Sequence, residues 1–281
     1  MSEPDRILGI DVGGTKLAAG LVTRGGRVEG FRTIPARAEQ GPERMIERHL
    51  ELARLVVDDA GVGWDSIGIV GIGIGGPLDP ERGIIQSPPN LPGWDEVPLA
   101  AIVRRALDRP VYVENDASAA ALAEAWWGSG RGCRSFIYMT ISTGIGGGIV
   151  LDGRLERGAN GNAGELGHIT VDYHGWPCPG CGRRGCLEAF ASGTNIARRA
   201  RAAAAASPTE GRALVERAAS VETITAADVS ALAGAGDPLA GRIWDETCEV
   251  LGAGLGTILD VFNPNRIALG GGVTRAGSLL L

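Results

Sequence analysis

The sequence has no excess of positive charge, no apolar run long enough for a bilayer and too few cysteines for a disulfide framework, and each shortage removes a class of protein. Lys and Arg number 27 against 33 Asp and Glu, a formal net charge of -6, so the basic footprint that general nucleic-acid binding needs to neutralise phosphates is missing. That balance does not exclude a small anion held locally by backbone N–H groups. No apolar stretch reaches the roughly 18 to 20 residues of a membrane span. The start Met1-Ser2-Glu3-Pro4-Asp5 lacks the basic residues and apolar run of a signal peptide, so a cytoplasmic protein with no membrane association is expected. The 5 cysteines are odd in number, and those at 178, 181 and 186 crowd together among glycines, which reads as metal ligation rather than disulfide pairing. Also missing are the P-loop, Gly-x4-Gly-Lys-Ser/Thr leading into a helix, and the dinucleotide fingerprint Gly-x-Gly-x2-Gly opening one.

What is present is glycine, 45 in 281 residues, about twice the usual share. The glycines gather at the ends of apolar runs, where tight turns and close backbone approach are needed. With 44% hydrophobic and 21% charged residues, the chain has material for two packed lobes. Ile7 to Ile10, the break Asp11-Val12-Gly13-Gly14-Thr15-Lys16 and Leu17 to Val22 read as a β-hairpin with a polar glycine turn. A helix-like apolar spacing over 44–59 follows, then a strand over 67–74 ending at Gly75-Gly76, a helix over 99–107 and a strand over 111–113. The order recurs: Phe136 to Met139, a glycine loop from Thr140 to Gly148, Ile149 to Leu151, helices over 190–206, 209–220, 225–234 and 237–260, and a strand Arg266 to Leu269 ending at Gly270-Gly271-Gly272. Two copies of one supersecondary unit account for this. The alanine-rich helix 117–127 is expected to link the lobes, with Asp116 as its N-cap.

Such a glycine turn brings N–H groups and the Thr15 hydroxyl to an anion, with Asp11 able to hold a hydrated cation beside it. Asp116 follows a strand and precedes a helix, where the N-terminal dipole keeps a carboxylate ionised; by residue type alone it reads as a helix cap before it reads as a base. His168, Cys178, Cys181 and Cys186 form His-x9-Cys-x2-Cys-x4-Cys, three thiolates and an imidazole of the kind that close around a structural zinc with no open position for catalysis. Glu165 and His168 share a face if their segment is a helical turn.

Asp11-x-Gly-Gly-Thr15-Lys16, Glu114-Asn115-Asp116, Thr140 to Gly148, Glu165-x-Gly-His168, Gly185-Cys186-Leu187-Glu188 and Leu269 to Gly272 together resemble the ROK family, the bacterial repressor, ORF and sugar-kinase group. The resemblance covers residues 6 to 275, and Pro89-Asn90-Leu91-Pro92-Gly93-Trp94 points within it to the glucokinases. It implies a two-lobed α/β actin-like ATPase (hexokinase/ribonuclease H-like) fold with duplicated domains, a smaller lobe over 1–117 and a larger one over 118–281 bearing a zinc loop. It implies transfer of the γ-phosphoryl group of MgATP to the 6-hydroxyl of glucose, with Asp116 as base. Asn90, Asn115, Asp116, Glu165, His168 and Glu188 are then the sugar set. Asp11, Gly13, Gly14, Thr15, Lys16, Thr143, Gly144, Gly270, Gly271 and Gly272 handle nucleotide and Mg2+, and a structural Zn2+ sits on His168, Cys178, Cys181 and Cys186. A homodimer or homotetramer is expected.

The sequence departs from the family pattern at two places. Cys178 and Cys181 are one residue further apart than in the usual Cys-x-Cys run, a spacing still ordinary for zinc, and Ser118 stands where a second Asn is usual. The chain stops nine residues after Gly272, so a last helix is expected to be missing or reduced to the turns of Thr274 to Leu281. Among rival readings, a DNA-binding repressor of the family would need a helical reader ahead of the first strand, which here begins at Arg6-Ile7. A non-catalytic sugar sensor, a kinase acting on N-acetylmannosamine, N-acetylglucosamine or fructose, and polyphosphate as donor stay open.

Overall fold

The computed structural model describes residues 5–280. Its contacts divide the chain into two compact units, one of Met1–Arg131 with Arg157–Ala163, the other of Gly132–Glu156 with Gly164–Leu281. The boundary expected at 117/118 falls in the first turn of a helix that belongs to the first unit.

The first unit is built on a sheet of β1 (Arg6–Val12), β2 (Lys16–Thr23), β3 (Val28–Pro35), β4 (Ile67–Ile74) and, beyond the minor hairpin β5 (Leu78–Asp79) and β6 (Ile84–Ile85), β7 (Val111–Asn115). The spatial order is β3-β2-β1-β4-β7. β1 runs antiparallel to β2 and parallel to β4, which runs parallel to β7. Helix α1 (Gly41–Asp59) buries Met45, Ile46, His49, Leu52, Ala53, Val56 and Val57, a stripe at helical spacing, and has Pro42 in its first turn, where a missing N–H costs nothing. These side chains join Leu8, Ile10, Leu17, Leu21, Val70 and Ile72 in one core. Helix α2 (Leu99–Leu107) adds Leu99, Val103 and Leu107.

Helix α3 (Asp116–Trp127) corrects one expectation: Asn115 rather than Asp116 is the N-cap, its side-chain oxygen accepting from the N–H groups of Ala117 and Ser118. Capping therefore falls to the amide, and Asp116 is the first helical residue. Trp126 and Trp127 meet edge to face at 5.4 Å, and the Trp127 ring lies against Gly26.

The second unit repeats the arrangement. β8 (Ser135–Ile141), β9 (Ile145–Leu151), β10 (Arg154–Leu155) and β11 (Arg266–Gly270) stand in the order β10-β9-β8-β11, with β8 antiparallel to β9 and parallel to β11. The turn of this hairpin is shorter than the glycine run suggested. Only Ser142 to Gly144 lie between the strands, while Gly146, Gly147 and Gly148 belong to β9. A side chain on Gly147 would stand 2.7 Å from Leu166 and 2.8 Å from the Gly164 carbonyl, so these glycines admit the 164–168 segment onto the strand.

The expected helix over 190–206 is two helices, α4 (Leu187–Ala191) and α5 (Gly193–Ala206). Ser192 breaks them with extended backbone and caps α5 through the Asn195 N–H. Next come α6 (Arg212–Ala218), shorter than expected, α7 (Ala226–Gly234), held by a Thr225/Asp228 capping box, and α8 (Pro238–Phe262), capped by Asp237. Beyond β11 the chain runs in 3-10 turns over Val273–Leu279.

Arg199 on α5, 3% exposed, locks the helical layer. It donates to the carbonyls of Phe190 (2.8 Å) and Ile243 (3.1 Å) and to the Thr247 hydroxyl (2.9 Å), and pairs with Glu246. Replacing Arg199 by Ala strips partners from several buried acceptors at once. Urea unfolding of the Arg199→Ala protein is expected to show a loss of about 1–3 kcal/mol.

Candidate active site

In the first unit the parallel register sets the geometry. Asp11 stands opposite Gly73 and Gly73 opposite Glu114, while Val12, Ile74 and Asn115 form the next row. The carboxyl ends of β1, β4 and β7 therefore deliver Asp11, Gly75-Gly76 and Asn115-Asp116 to one edge, where open α/β sheets place ligands. Gly73 lies directly under Asp116: a Cβ there would meet the Asp116 Cα at 3.7 Å, an ordinary contact. Asp116 is exposed, and its Oδ1 takes the Ala117 N–H at 2.8 Å. Desolvation in the concave edge pushes Asp11 above the usual carboxylate range, the charge of Asp116 adds to this, and Lys16 offsets part of it. Asn115 has its oxygen committed to the α3 cap at 3.0 and 3.1 Å, which leaves the amide nitrogen as its free hydrogen-bonding end.

The turn between β1 and β2 closes through the Gly13 N–H on the Lys16 carbonyl at 3.2 Å. Gly14 touches the next loop, since a Cβ there would be 2.8 Å from the Asn90 carbonyl. That loop is pinned by Leu91 and Trp94, 3% and 1% exposed in the core, which hold Asn90 exposed beside the turn.

Sequence reasoning missed His49. It is 2% exposed, and its ring lies between the Met45 carbonyl (Nδ1, 3.0 Å) and the Asp11 carbonyl (Nε2, 3.1 Å); a neutral ring donates its one N–H to one of the two, and the contact sets α1 against the residue that opens the turn. Its only signal was a polar residue inside an apolar helical stripe.

In the second unit, Glu165 and His168 flank a 3-10 turn over Leu166–His168, with Glu165 Oε2 3.9 Å from His168 Nε2. The other ring nitrogen, Nδ1, lies 3.7 Å from Cys178 Sγ, and the Sγ atoms of Cys181 and Cys186 are 3.5 Å apart. One ligand atom from each of His168, Cys178, Cys181 and Cys186 falls within 4.8 Å of the others. Tetrahedral bonds of about 2.3 Å to sulfur would separate the donors by about 3.8 Å, so the set fits such an ion. The residue added between Cys178 and Cys181 is absorbed in a tight loop in which the Cys178 N–H meets the Arg183 carbonyl at 2.7 Å and the Gly182 N–H the Cys178 carbonyl at 2.9 Å.

The thiols differ in acidity. Burial works against the Cys181 thiolate, but bonds from Arg183 and the neighbouring thiols overcome it and bring Cys181 down to about 7. Burial, then the Cys181 contact, pushes Cys186 up to about 12.

Glu188, half-buried on α4, accepts the Ile145 N–H through Oε2 at 2.8 Å, and its Oε1 lies 3.9 Å from Cys178 Sγ. Thr143 and Gly144 sit in the β8–β9 turn. Gly270 and Gly271 pass so close to β8 that side chains there would strike the Tyr138 hydroxyl at 2.2 Å and the Ile141 carbonyl at 2.4 Å. Ser142, Thr143, Gly193, Thr194 and Gly272 line a cavity of about 590 Å³, with Arg201, Thr225, Ser230 and Arg275 on its other walls. Those last residues were not foreseen: Arg201 lies in an alanine-rich stretch that reads as plain helix, and nothing in the spacing marks it.

A family model described as the ROK family matches residues 7–281. The glucokinase of Thermotoga maritima is 37% identical over 275 residues, 98% of this chain and 84% of that protein. Among solved structures, the ROK hexokinase of Thermus thermophilus is 38% identical with a TM-score of 0.81, over 98% of this chain and 86% of that one. A ROK family glucokinase from Streptomyces griseus, solved in complex with glucose and AMPPNP, is 36% identical with a TM-score of 0.82 over the same shares. Among the described residues, no helix is long and apolar enough to cross a membrane.

The role of His49 is testable. Burial holds its ring below the usual histidine pKa of 6.5, so it folds neutral. The unfolded chain gains its proton first as pH falls below about 6.5, and the stability His49 contributes is lost on that acid side. His49→Leu is expected to cost about 1–3 kcal/mol at pH 7.5, and the gap in melting temperature from wild type should narrow at pH 5.5. A gap that widens on acidification would contradict the assignment.

Proposed function

The chain belongs to the ROK family and has its actin/hexokinase-like α/β fold; from that premise we propose that it is a glucokinase, transferring the γ-phosphoryl group of ATP to the 6-hydroxyl of glucose. The observation that carries the reading is the pairing of Asp116 with Asp11 at the carboxyl edge of β1, β4 and β7, one carboxylate for the acceptor hydroxyl and one for a hydrated cation. Asp116 orients the 6-hydroxyl and takes its proton as the oxygen attacks in line. Its Oδ1 shares the Ala117 N–H with the Asn115 cap of α3, which leaves Oδ2 to meet the hydroxyl. Asp11 would hold hydrated Mg2+, which neutralises phosphate charge when bound.

The N–H groups of Gly13 and Gly14, with Thr15 and Lys16, and those of Thr143 and Gly144 are assigned to the phosphates. The cavity beside Gly270 to Gly272 is assigned to the rest of the nucleotide. Its volume suits a ligand of that size. Asn90, Asn115, Asp116, Glu165, His168 and Glu188 are assigned to the sugar hydroxyls, where unmatched amides and carboxylates discriminate against the wrong epimer.

The His/Cys set is assigned to a structural Zn2+. With Nδ1 directed at the metal, His168 keeps Nε2 for Glu165 or a sugar hydroxyl, so the ion would fix ring orientation without chemistry of its own. The relatives reported above support glucose as acceptor: they include glucokinases matched across 98% of this chain, one of them complexed with glucose and AMPPNP.

ADP release from MgATP across glucose, fructose, mannose, N-acetylmannosamine and N-acetylglucosamine tests the assignment. Glucose is expected to give the highest kcat/KM, and Asp116→Asn to lower kcat by about 10² to 10⁴ with the fold unchanged. Preference for an N-acetylhexosamine or fructose would overturn the substrate, and full activity in Asp116→Asn the base. Metal analysis should find one zinc per chain, and chelation should lower both the melting temperature and glucose affinity; an active, folded protein without zinc would refute the structural role.

A further inference from the structure

We propose that Glu188 carries the state of the His/Cys metal knuckle into the β8–β9 turn, so that metal occupancy sets nucleotide affinity and not only sugar affinity. This rests on the metal and phosphate readings given above, but its mechanism is drawn from contacts of this chain.

The two oxygens of the Glu188 carboxylate serve different structures. Oε2 accepts the N–H of Ile145, the first residue of β9, at 2.8 Å, and it fills the space beside Gly144, standing 2.7 Å from where a Cβ would be. Oε1 faces the knuckle, 3.9 Å from Cys178 Sγ and 2.8 Å from the Cβ position of Gly180. A carboxylate is rigid and planar, so movement of one oxygen moves the other.

The backbone reinforces the link. α4 begins immediately after the donor Cys186, and the Leu187 N–H is held by the Ile169 carbonyl at 3.0 Å. Asn195 donates to the Glu188 carbonyl at 2.9 Å. The start of α5 grips the same turn, Gly193 N–H on the Ser142 carbonyl at 2.7 Å and Thr194 N–H on the Thr143 carbonyl at 3.4 Å. Of these three holds on residues 142–145, the Glu188 carboxylate is the one that also reaches the knuckle.

With an ion bound, four donors fix the loop that carries Gly180 against Oε1. Without it, the loop keeps its backbone bonds and the Arg183 and Arg198 bonds to the His168 and Pro177 carbonyls but loses the cross-link among its four donors, the wall on the Oε1 side loosens, and the carboxylate is released to turn away from Ile145. The bond it gives up is charge-assisted, and its loss undoes the shape of the turn that the phosphates require.

The test is calorimetric titration with MgAMPPNP, in the absence of sugar, of zinc-replete and chelated protein, wild type and Glu188→Ala. Chelation is expected to weaken nucleotide binding by about ten- to 150-fold in wild type, the range set by one charge-assisted bond, and by less than about twofold in Glu188→Ala. If chelated wild type binds glucose poorly but MgAMPPNP unchanged, the coupling is wrong while the metal reading survives. If neither affinity changes, the metal reading fails as well. An equal nucleotide loss in both proteins removes Glu188 as the link. Should chelation unfold the chain, amide exchange in a Cys181→Ser protein, which keeps Glu188 and three of the four donors, decides: faster exchange at Ile145 than in wild type, at equal global stability, supports the proposal, and unchanged exchange overturns it.

Discussion

The arrangement depends on one pairing used twice: a tight antiparallel hairpin whose first strand also runs parallel to a later strand. Parallel pairing forces the end of the later strand to the same edge as the turn of the hairpin. In the first unit β1 beside β4 brings Gly75-Gly76 to the level of Asp11 and the Gly13–Lys16 turn, and β7 extends the row to Asn115. In the second, β8 beside β11 brings Gly270 level with Thr140, next to the Ser142–Gly144 turn. Asp11, Asn115 and Asp116 reach the edge directly from strand ends, whereas Asn90 and the knuckle cysteines are carried on loops. Register does the positioning, and register is held by the buried Ile, Val and Leu of the strands.

The duplicated frame is specialised by what is attached to each copy. The first carries the aspartate pair and a turn braced from behind by a buried histidine, whose contact with the Asp11 carbonyl makes α1 part of the turn's support. The second carries a metal knuckle and a turn braced by a carboxylate. In both, a polar side chain from a helix satisfies a backbone group at the hairpin end. The polarity is opposite: an imidazole meets a carbonyl in one and a carboxylate meets an N–H in the other.

Much of this was legible in the sequence because it rests on local rules. The two hairpins, the strand before Gly75-Gly76, the helix over 99–107 and the donor set of the knuckle follow from alternation, glycine placement and ligand spacing. What was not legible depends on contacts far apart in sequence. The glycines after Gly144 read as a long turn, yet they pair with β8 as a strand, and Gly147 leaves room for Gly164 and Leu166 against it. Asp116 reads as a cap until the neighbouring Asn115 is seen to do that work. The break at Ser192 is invisible in an alanine-rich helical stretch, and the cavity wall formed by Arg201, Thr225, Ser230 and Arg275 arises only when α5, α7 and the final turns meet. The site residues named from the motifs fall on these same structures, but their chemical roles rest on the reading of the motifs and not on spacing alone.

Several glycines press on main chain rather than side chains, and this shapes how the sequence can drift. A Cβ on Gly185 would fall 1.6 Å from the Asp172 carbonyl oxygen, and one on Gly167 2.2 Å from that of Ile145. Trimming a neighbour cannot make room, because the obstacle is the backbone itself. Gly26 faces a side chain instead, the Trp127 ring, but its φ of +82° strains any other residue whatever space is cleared. No second substitution makes room at Gly167 or Gly185 or relieves the backbone at Gly26, so a change at any of the three disturbs the local fold while the residues around them can vary.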